Sequence, residues 1–334
     1  MLVSVILGAY NHAQYIEQAI HSVLSQSHKD IELIVIDDGS TDSTVDVIQR
    51  IKDSRLKYLV QKNRGPSYTY NKAFSLSRGE YVALMAADDI SLPYRLESQL
   101  DNLHKHHADV VLSRPELVDD DGHVVPQDNY PVFFAQRFVS TPQLYSILFF
   151  SGNFLCAPSA LIRRDCFSQM GGFRLGLLQL QDFDFWIRCC IANKKLLLTE
   201  TPCFQYRIRS DNENLSHDKN GRRTIVEMPL VYQDFFKNAT YPLLRDAFPN
   251  SVRHDSEHSL ESMKIDQSFL YLAHNNPLVR LIGVSNIFQY LENPIMFDLL
   301  ENQYHFSLGD FFSQTQQIDI FNTALIKQLR GVIK

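Results

Sequence analysis

Two carboxylates stand side by side at Asp88 and Asp89, directly after the apolar run Tyr81-Val82-Ala83-Leu84-Met85-Ala86-Ala87. A strand that ends in adjacent aspartates brings two like charges to a sheet edge. Desolvation and repulsion make that costly unless a cation neutralises the pair. The pattern also occurs upstream, where Ile31-Glu32-Leu33-Ile34-Val35-Ile36 runs into Asp37-Asp38-Gly39-Ser40. Each pair has a plain reading. Asp88-Asp89 could cap a helix opened by Pro93, and Asp37 to Asp42 could be a polar turn and cap. The chemical reading of Asp88-Asp89 is a divalent-cation site. Mg2+ and Mn2+ take one or two carboxylates and complete their shells with phosphate oxygens and water, so a diphosphate is the natural partner. The chemical reading of Asp37-Asp38 is base and ribose recognition, because a fixed carboxylate can accept a hydrogen bond from a uracil imide N–H. Two such pairs after parallel strands favour a nucleotide.

A third carboxylate, Asp182, opens Asp182-Phe183-Asp184-Phe185-Trp186-Ile187-Arg188, the start of an amphipathic helix with Phe183, Trp186, Ile187, Cys190 and Ile191 on one face. Capping and catalysis are compatible there. The helix macrodipole favours the ionised form at an N-terminus, and that is the state a general base needs. Arg188 reads as a structural ion-pair partner.

The elements that must position these groups follow from the apolar rhythm. Residues 1–113 alternate strand and helix, with strands at 2–9, 31–36, 56–60, 80–87 and 110–112. The intervening helices carry Ile16, Ala19, Ile20, Val23 and Leu24; then Val45, Ile48 and Ile51, capped by Thr41 or Asp42; then Asn71, Ala73, Phe74 and Leu76, stopped by Gly79; then Leu96, Leu100 and Leu103 after Pro93. This spacing predicts an α/β fold with a mostly parallel sheet, which binds ligands at the carboxyl ends of its strands. Both acid pairs stand at such ends. From 114 to 210 the rhythm loosens: a hairpin turn at Asp119-Asp120-Asp121-Gly122, a helix over 142–150 and a strand over 154–162 are expected. After 220 only helical patterns remain.

Taken in order, several segments resemble the inverting family-2 glycosyltransferases. They are Val3-Ser4-Val5-Ile6-Leu7-Gly8-Ala9-Tyr10-Asn11, Ser22 to Ser27, Glu32 to Asp42, Asn63-Arg64-Gly65-Pro66 with Asn71, Gly79-Glu80-Tyr81 leading to Asp88-Asp89, Pro93 to Glu97, and Asp182 to Arg188. The resemblance covers residues 1 to about 215. It implies a GT-A fold with a nucleotide-sugar-binding half (1–113), an acceptor-binding half (114–215) and a helical extension (216–334). It also implies nucleotide contacts from Ala9, Tyr10, Asn11, Asp37, Asp38, Asn63, Gly65, Asn71 and Asp88, a Mn2+ or Mg2+ site at Asp88 and Asp89, and Asp182 as catalytic base. Arg207 and Arg209 could help hold the diphosphate or be surface guanidinium groups. Asn153 to Arg163 and Tyr206-Arg207-Ile208-Arg209 resemble members that build bacterial surface glycans. Three positions depart from the family pattern: Ala86 where an aspartate is usual, Gln181 ahead of the base, and Arg209 where many members carry a histidine.

The expected chemistry is metal-dependent, inverting transfer of a hexosyl group from a nucleotide-sugar, a UDP-sugar above all, to a hydroxyl of a saccharide or lipid-linked saccharide. Two other readings stand beside it. A sugar-phosphate nucleotidylyltransferase shares the alternating elements, but Gly8-Ala9-Tyr10-Asn11 is not its Gly-rich phosphate loop. Ala86 and Gln181 also allow a non-catalytic nucleotide-sugar-binding or scaffold module.

Composition bounds the partners. A formal charge of −6, with no like-charge block longer than three residues, argues against nucleic acid. Five cysteines without a CxxC pattern read as buried thiols of a reducing compartment. The strand-like start after Met1 and the interrupted apolar stretch 144–158 argue against a secretory signal and a membrane span. The expectation is a cytoplasmic protein whose helical tail could dock on the inner membrane face, a partner enzyme or a second copy.

Overall fold

The computed structural model describes residues 1–319 except 127, 129, 131, 211–220 and 254–258. The chain divides into two compact units, one of Met1–Leu148 with Gly152–Thr224, the other of Phe149–Ser151 with the residues from Ile225 onward. The domain boundary expected at 215/216 lies outside the described residues.

In the first unit the continuous apolar runs of β1 (Val3–Ala9), β2 (Ile31–Asp37) and β4 (Tyr81–Ala86) become buried central strands, while β3 (Leu56–Val60) is a largely exposed edge strand. The helices between them are α1 (Ile16–Leu24), α2 (Thr44–Arg50) and α3 (Pro66–Leu76). A two-residue β5 (Ile90–Ser91), α4 (Arg95–Lys105), β6 (Val110–Ser113) and β7 (Glu116–Val118) follow. Then come α5 (Thr141–Ser151), β8 (Leu161–Arg163), α6 (Arg164–Gln169), α7 (Gln181–Ile191), β9 (Leu196–Thr199) and β10 (Phe204–Arg207). The seven-stranded sheet has the order β3-β2-β1-β4-β8-β6-β9 and is parallel except where β8 pairs with β4 and β6. A small second sheet, β5-β10-β7, sets β10 antiparallel to β5 and parallel to β7.

Successive strands step outward from β1 through β2 to β3, and β4 then returns to the other side of β1. That reversal opens a crevice at the carboxyl ends of β1 and β4, the usual ligand position in such sheets. The core beneath it is mainly apolar, with hydrogen-bonded polar side chains such as Arg95 and Gln99 buried in it. Ser4 Oγ donates to Glu32 Oε1 at 2.7 Å across the β1–β2 pair, and Lys57 Nζ on β3 lies 3.0 Å from Glu32 Oε2.

Some sequence expectations need correction. The strand over 154–162 is real only for its last residues. Pro158 lacks an N–H for a ladder and Ser159 Oγ bonds back to Cys156 O, so Ala157–Ser159 closes a tight 3-10 turn before β8 begins. Asp88-Asp89 is not a helix cap, since β5 follows it and α4 starts only at Arg95. Asp182 lies inside the first turn of α7, not at its cap, which is Leu180.

The second unit is helical, as its periodicity predicts. It contains α8 (Gly221–Gln233, whose first residues belong to the first unit), α9 (Tyr241–Ala247), α10 (Leu260–Leu272), α11 (Pro277–Leu291), α12 (Pro294–Asp298) and α13 (Leu308–Gln317). Ile265, Ile287, Met296, Leu300 and Phe311 form one core there. Phe149, Tyr232, Phe235, Phe236, Phe248 and Tyr271 form an aromatic one. No helix among the described residues is long and apolar enough to cross a membrane.

Candidate functional site

At the crevice the ends of β1 and β2 are in register, Ala9 opposite Asp37, and Asp38 N–H donates to Ala9 O at 2.8 Å. Beyond them the two loops are laced together. Asn11, at φ +57°, accepts from Thr41 N through Oδ1 at 2.8 Å, and Asp42 accepts from Ala13 N at 3.1 Å. Tyr10 remains 45% exposed at the end of β1, an aromatic face open to solvent.

The paired carboxylates at 37 and 38 do separate jobs. Asp37 accepts from Gly39 N, Ser40 N and Ser40 Oγ, so it shapes its own turn. Asp38, nearly buried, accepts from Gln61 Nε2 at 2.8 Å, Arg64 N at 2.9 Å and Gly65 N at 2.8 Å, which fixes the loop ahead of α3. Gly39 is required where it stands: its φ is +81°, and a Cβ would lie 2.8 Å from Asn63 N. Thus Ala9, Tyr10, Asn11, Asp37, Asp38, Asn63 and Gly65 are brought together. Asn71 is not among them. Its amide is bonded at both ends to Phe173, Nδ2 to the carbonyl at 2.7 Å and Oδ1 from the N–H at 2.9 Å. That makes it a brace for the 171–173 turn.

Asp88 and Asp89 differ sharply in environment. Asp88 Oδ2 lies 3.7 Å from His12 Nε2 and 3.9 Å from Arg209 Nη1. Burial works to raise its carboxyl, but His12 and Arg209 outweigh it and hold it below the ordinary value. Asp89 is buried, and that burial, with the charge of Asp88, pushes it well up despite Arg207 and Arg95. Its Oδ1 accepts from Arg207 N at 2.9 Å, while its Oδ2 has no hydrogen-bond partner. Two like charges so close are driven apart in ionisation, with Asp88 the charged member.

Arg207 is neither a diphosphate ligand nor a surface group. It is 1% exposed, and its guanidinium donates to Asp88 O, Asp119 O and Asp120 O, each at 2.7 Å, and to Gln18 Oε1. It clamps the Asp88-Asp89 loop to the turn after β7, because unsatisfied buried carbonyls are costly. Arg209, two residues on, is the arginine whose charge reaches the crevice. His12, which sequence reasoning passed over, joins it there. Its Nδ1 accepts from Tyr10 N–H at 3.1 Å, so the neutral ring carries its proton on Nε2, toward Asp88. Its place just past the carboxyl end of the first strand was the available signal.

Asp182 is half-buried in the first turn of α7. Burial raises its carboxyl to about 6, against hydrogen bonds from Phe183 N and Asn153 Nδ2, each at 2.8 Å. A carboxylate titrating there is mostly ionised at pH 7, yet more basic than an exposed aspartate. The Cys156 thiol is pushed up by burial and then by the charges of Asp89 and Asp182, so both acids lie within its electrostatic reach. Behind Asp182 on the same helix, Asp184 pairs with Arg188 at 2.8 Å and Arg174 at 3.2 Å, the structural role expected for Arg188.

Among the described residues no group of three or more His, Cys, Asp or Glu side chains could hold a metal ion alone. The donors present still suit a hard divalent cation that draws its remaining ligands from phosphate and water. The ionised Asp88 carboxylate sits in the crevice, and Asp89 has a buried oxygen with no partner.

Comparison with known proteins agrees with this geometry. An uncharacterized glycosyltransferase of Nostoc sp. is 32% identical over 47% of this chain and 48% of its own, so the match spans about half of that relative. One of Methanocaldococcus jannaschii is 28% identical over 65% of this chain and 74% of its own. The putative glycosyltransferase EpsE of Bacillus subtilis is 31% identical over 56% and 66%. Two solved structures share the fold. TarS of S. aureus in complex with UDP-GlcNAc has a TM-score of 0.58 at 20% identity, covering 89% of this chain and 87% of that one. The mannosyltransferase PcManGT of Pyrobaculum calidifontis in complex with GDP-Man and Mn2+ has a TM-score of 0.57 at 17% identity, covering 98% and 86%. The architecture is accordingly GT-A. The profile of glycosyl transferase family 2 matches residues 4–171, half of the sequence, and the chain belongs to that family.

Proposed function

We propose that this protein is a divalent-metal-dependent, inverting glycosyltransferase that moves a hexosyl group from a nucleotide-sugar to an acceptor hydroxyl. Asp182 is the observation that carries the reading: a half-buried carboxylate near pH 6 at a helix N-terminus, in the same electrostatic neighbourhood as Asp89. The first unit is the catalytic domain, with residues 1–113 as its donor half and the rest, to about 215, as its acceptor half. Tyr10 offers a ring to a base, and the backbone around Asp38, Asn63 and Gly65 frames the nucleoside. UDP is the favoured nucleotide, in keeping with the TarS complex.

Asp88 would hold Mn2+ or Mg2+, with Asp89 behind it, and the ion supplies charge neutralisation for the departing diphosphate. Arg209 and His12 add positive charge and a donor on the same side. Asp182 takes the proton from the acceptor hydroxyl as it attacks the anomeric carbon opposite the leaving group. Charge then builds on the sugar ring in an oxocarbenium-like transition state. In-line attack inverts the centre, so an α-linked donor gives a β-linked product.

A saccharide or lipid-linked saccharide of a bacterial surface polysaccharide is the acceptor class we infer. The helical unit would serve docking at the cytoplasmic membrane face or self-association. The test is nucleotide release from UDP-, GDP- and dTDP-sugars with Mn2+. Release from one donor that vanishes in Asp182→Asn, while nucleotide binding survives, is the expected result. Binding without turnover across donors and acceptors would sink the transferase reading.

A further inference from the structure

Asp182 does not stand alone. Gly152, at φ +79° and ψ −165°, ends α5 in a conformation that side chains rarely adopt, and Asn153 follows it immediately. Leu155 N–H donates to Asn153 Oδ1 at 3.1 Å. That bond decides which way the amide points. With Oδ1 committed to a donor, Nδ2 is the atom turned to Asp182 Oδ2, 2.8 Å away. The reverse orientation would set an amide oxygen against a carboxylate and an NH2 group against an N–H, two repulsive contacts. Asp182 Oδ1 accepts from Phe183 N–H, so both oxygens are held and the carboxylate plane is fixed by groups on two separate segments. A carboxylate has about four lone-pair sites, which leaves acceptor capacity for a substrate hydroxyl.

We propose that Asn153 is a positioning residue for the base: its amide aims the Asp182 carboxylate and donates to its ionised form. The inference rests on the transferase reading above, and it adds a residue whose job the sequence motifs did not state. Other titratable or charged groups near Asp182 are accounted for. The Cys156 thiol, on the same segment as Asn153, is pushed well up by burial and stays neutral. Asp184, on the same helix, is paired with Arg174 and Arg188. Asp89 and Arg95 also act on Cys156, in opposite directions. Losing a hydrogen bond to the charged form raises an acid's pKa, so the loss of Asn153 has a definite sign.

The test is Asn153→Ala, with Asn153→Ser as the milder change should alanine fail to fold. For the alanine variant we expect kcat lower by about 10–100-fold, nucleotide Kd within about twofold of wild type, and the acid limb of kcat/KM moved up by roughly one pH unit. Asn153→Asp, which replaces the donor with a second carboxylate, should move the limb further. A limb that stays in place in a folded, nucleotide-binding variant overturns the proposal. Trp186, the chain's only tryptophan, lies one turn after Asp182 on α7 and provides a substrate-free readout. Its fluorescence should show a transition near pH 6 that is absent in Asp182→Asn and shifted upward in Asn153→Ala. If no donor is turned over, the transferase reading fails. If the fluorescence transition ignores Asn153, the positioning role fails by itself.

Discussion

Replacing Asp182 by asparagine should remove turnover and, at neutral pH, relieve the folded chain of a cost. The Asp182 carboxyl rises from an ordinary 3.8 to about 6 on folding, chiefly through burial. A shift of about two units corresponds to about 3 kcal/mol, and partial solvent access trims it to about 2–3 kcal/mol. The sign follows from linkage. Because the folded pKa lies above the unfolded one, the contribution is fully present below pH 3.8, is lost as pH rises through 6, and stays lost above it. Asparagine never ionises and should escape that loss. The amide introduced at 182 sets an NH2 group against either Phe183 N–H or Asn153 Nδ2, an offset of about 1 kcal/mol that does not depend on pH. The decisive quantity is therefore the difference in slope. Urea unfolding of the first unit, followed by Trp186 fluorescence between pH 4 and 8, should show the stability gap between variant and wild type widening by about 2–3 kcal/mol from the acid to the neutral end. Parallel curves for the two proteins would refute the reasoning, since Asp182 would then be no more basic in the folded state than in the unfolded chain.

Three further outcomes follow from the same geometry. Arg207→Met removes donors from three backbone carbonyls and a cation from beside Asp89, so the urea midpoint should drop by the equivalent of about 3–5 kcal/mol; an unchanged midpoint would show that the clamp is dispensable. In Asp88→Asn, calorimetry should find that Mn2+ no longer strengthens nucleotide binding, whereas in the wild type EDTA should weaken it; equal Mn2+ enhancement in both proteins would exclude Asp88 as the ligand. Gly79→Ala sets a Cβ 2.6 Å from Ser4 N and Ser4 Oγ at the start of the β1–β4 pair. It should lower the melting temperature by several degrees, through about 1–3 kcal/mol of overpacking, and a wild-type melting curve would contradict the close approach.

Much of the architecture was legible because it is written in local chemistry. Apolar runs of five to seven residues, punctuated by Asn-His, Asp-Gly and Gly-Pro steps, specify parallel strands and their connections. Such strands place their terminal polar residues at one edge whatever the rest of the chain does. The strand over 154–162 misread the same signal, since an apolar run can be buried by packing without joining a ladder. The site was less legible. Asp182 was singled out correctly as a helix-start carboxylate, but nothing in the spacing linked it to Asn153, 29 residues earlier. Asn71 follows Asn63-Arg64-Gly65-Pro66 in sequence, yet the partner of its amide is Phe173, 102 residues away.

The sequence by itself determined the alternation of strands and helices in the first part of the chain and which carboxylates end which strands. Those properties depend on periodicity and turn chemistry within a few residues. Tertiary structure decided how the charges are shared. Asp88 and Asp89 look from sequence like a pair awaiting an external cation. In the fold His12 and Arg209 converge on Asp88, while Arg207 and Arg95 stand behind Asp89. Which arginine becomes a buried clamp and which faces the crevice depends on how β10 pairs between β5 and β7. Desolvation then separates two adjacent aspartates of identical chemistry into a charged carboxylate and an acid held closer to neutral.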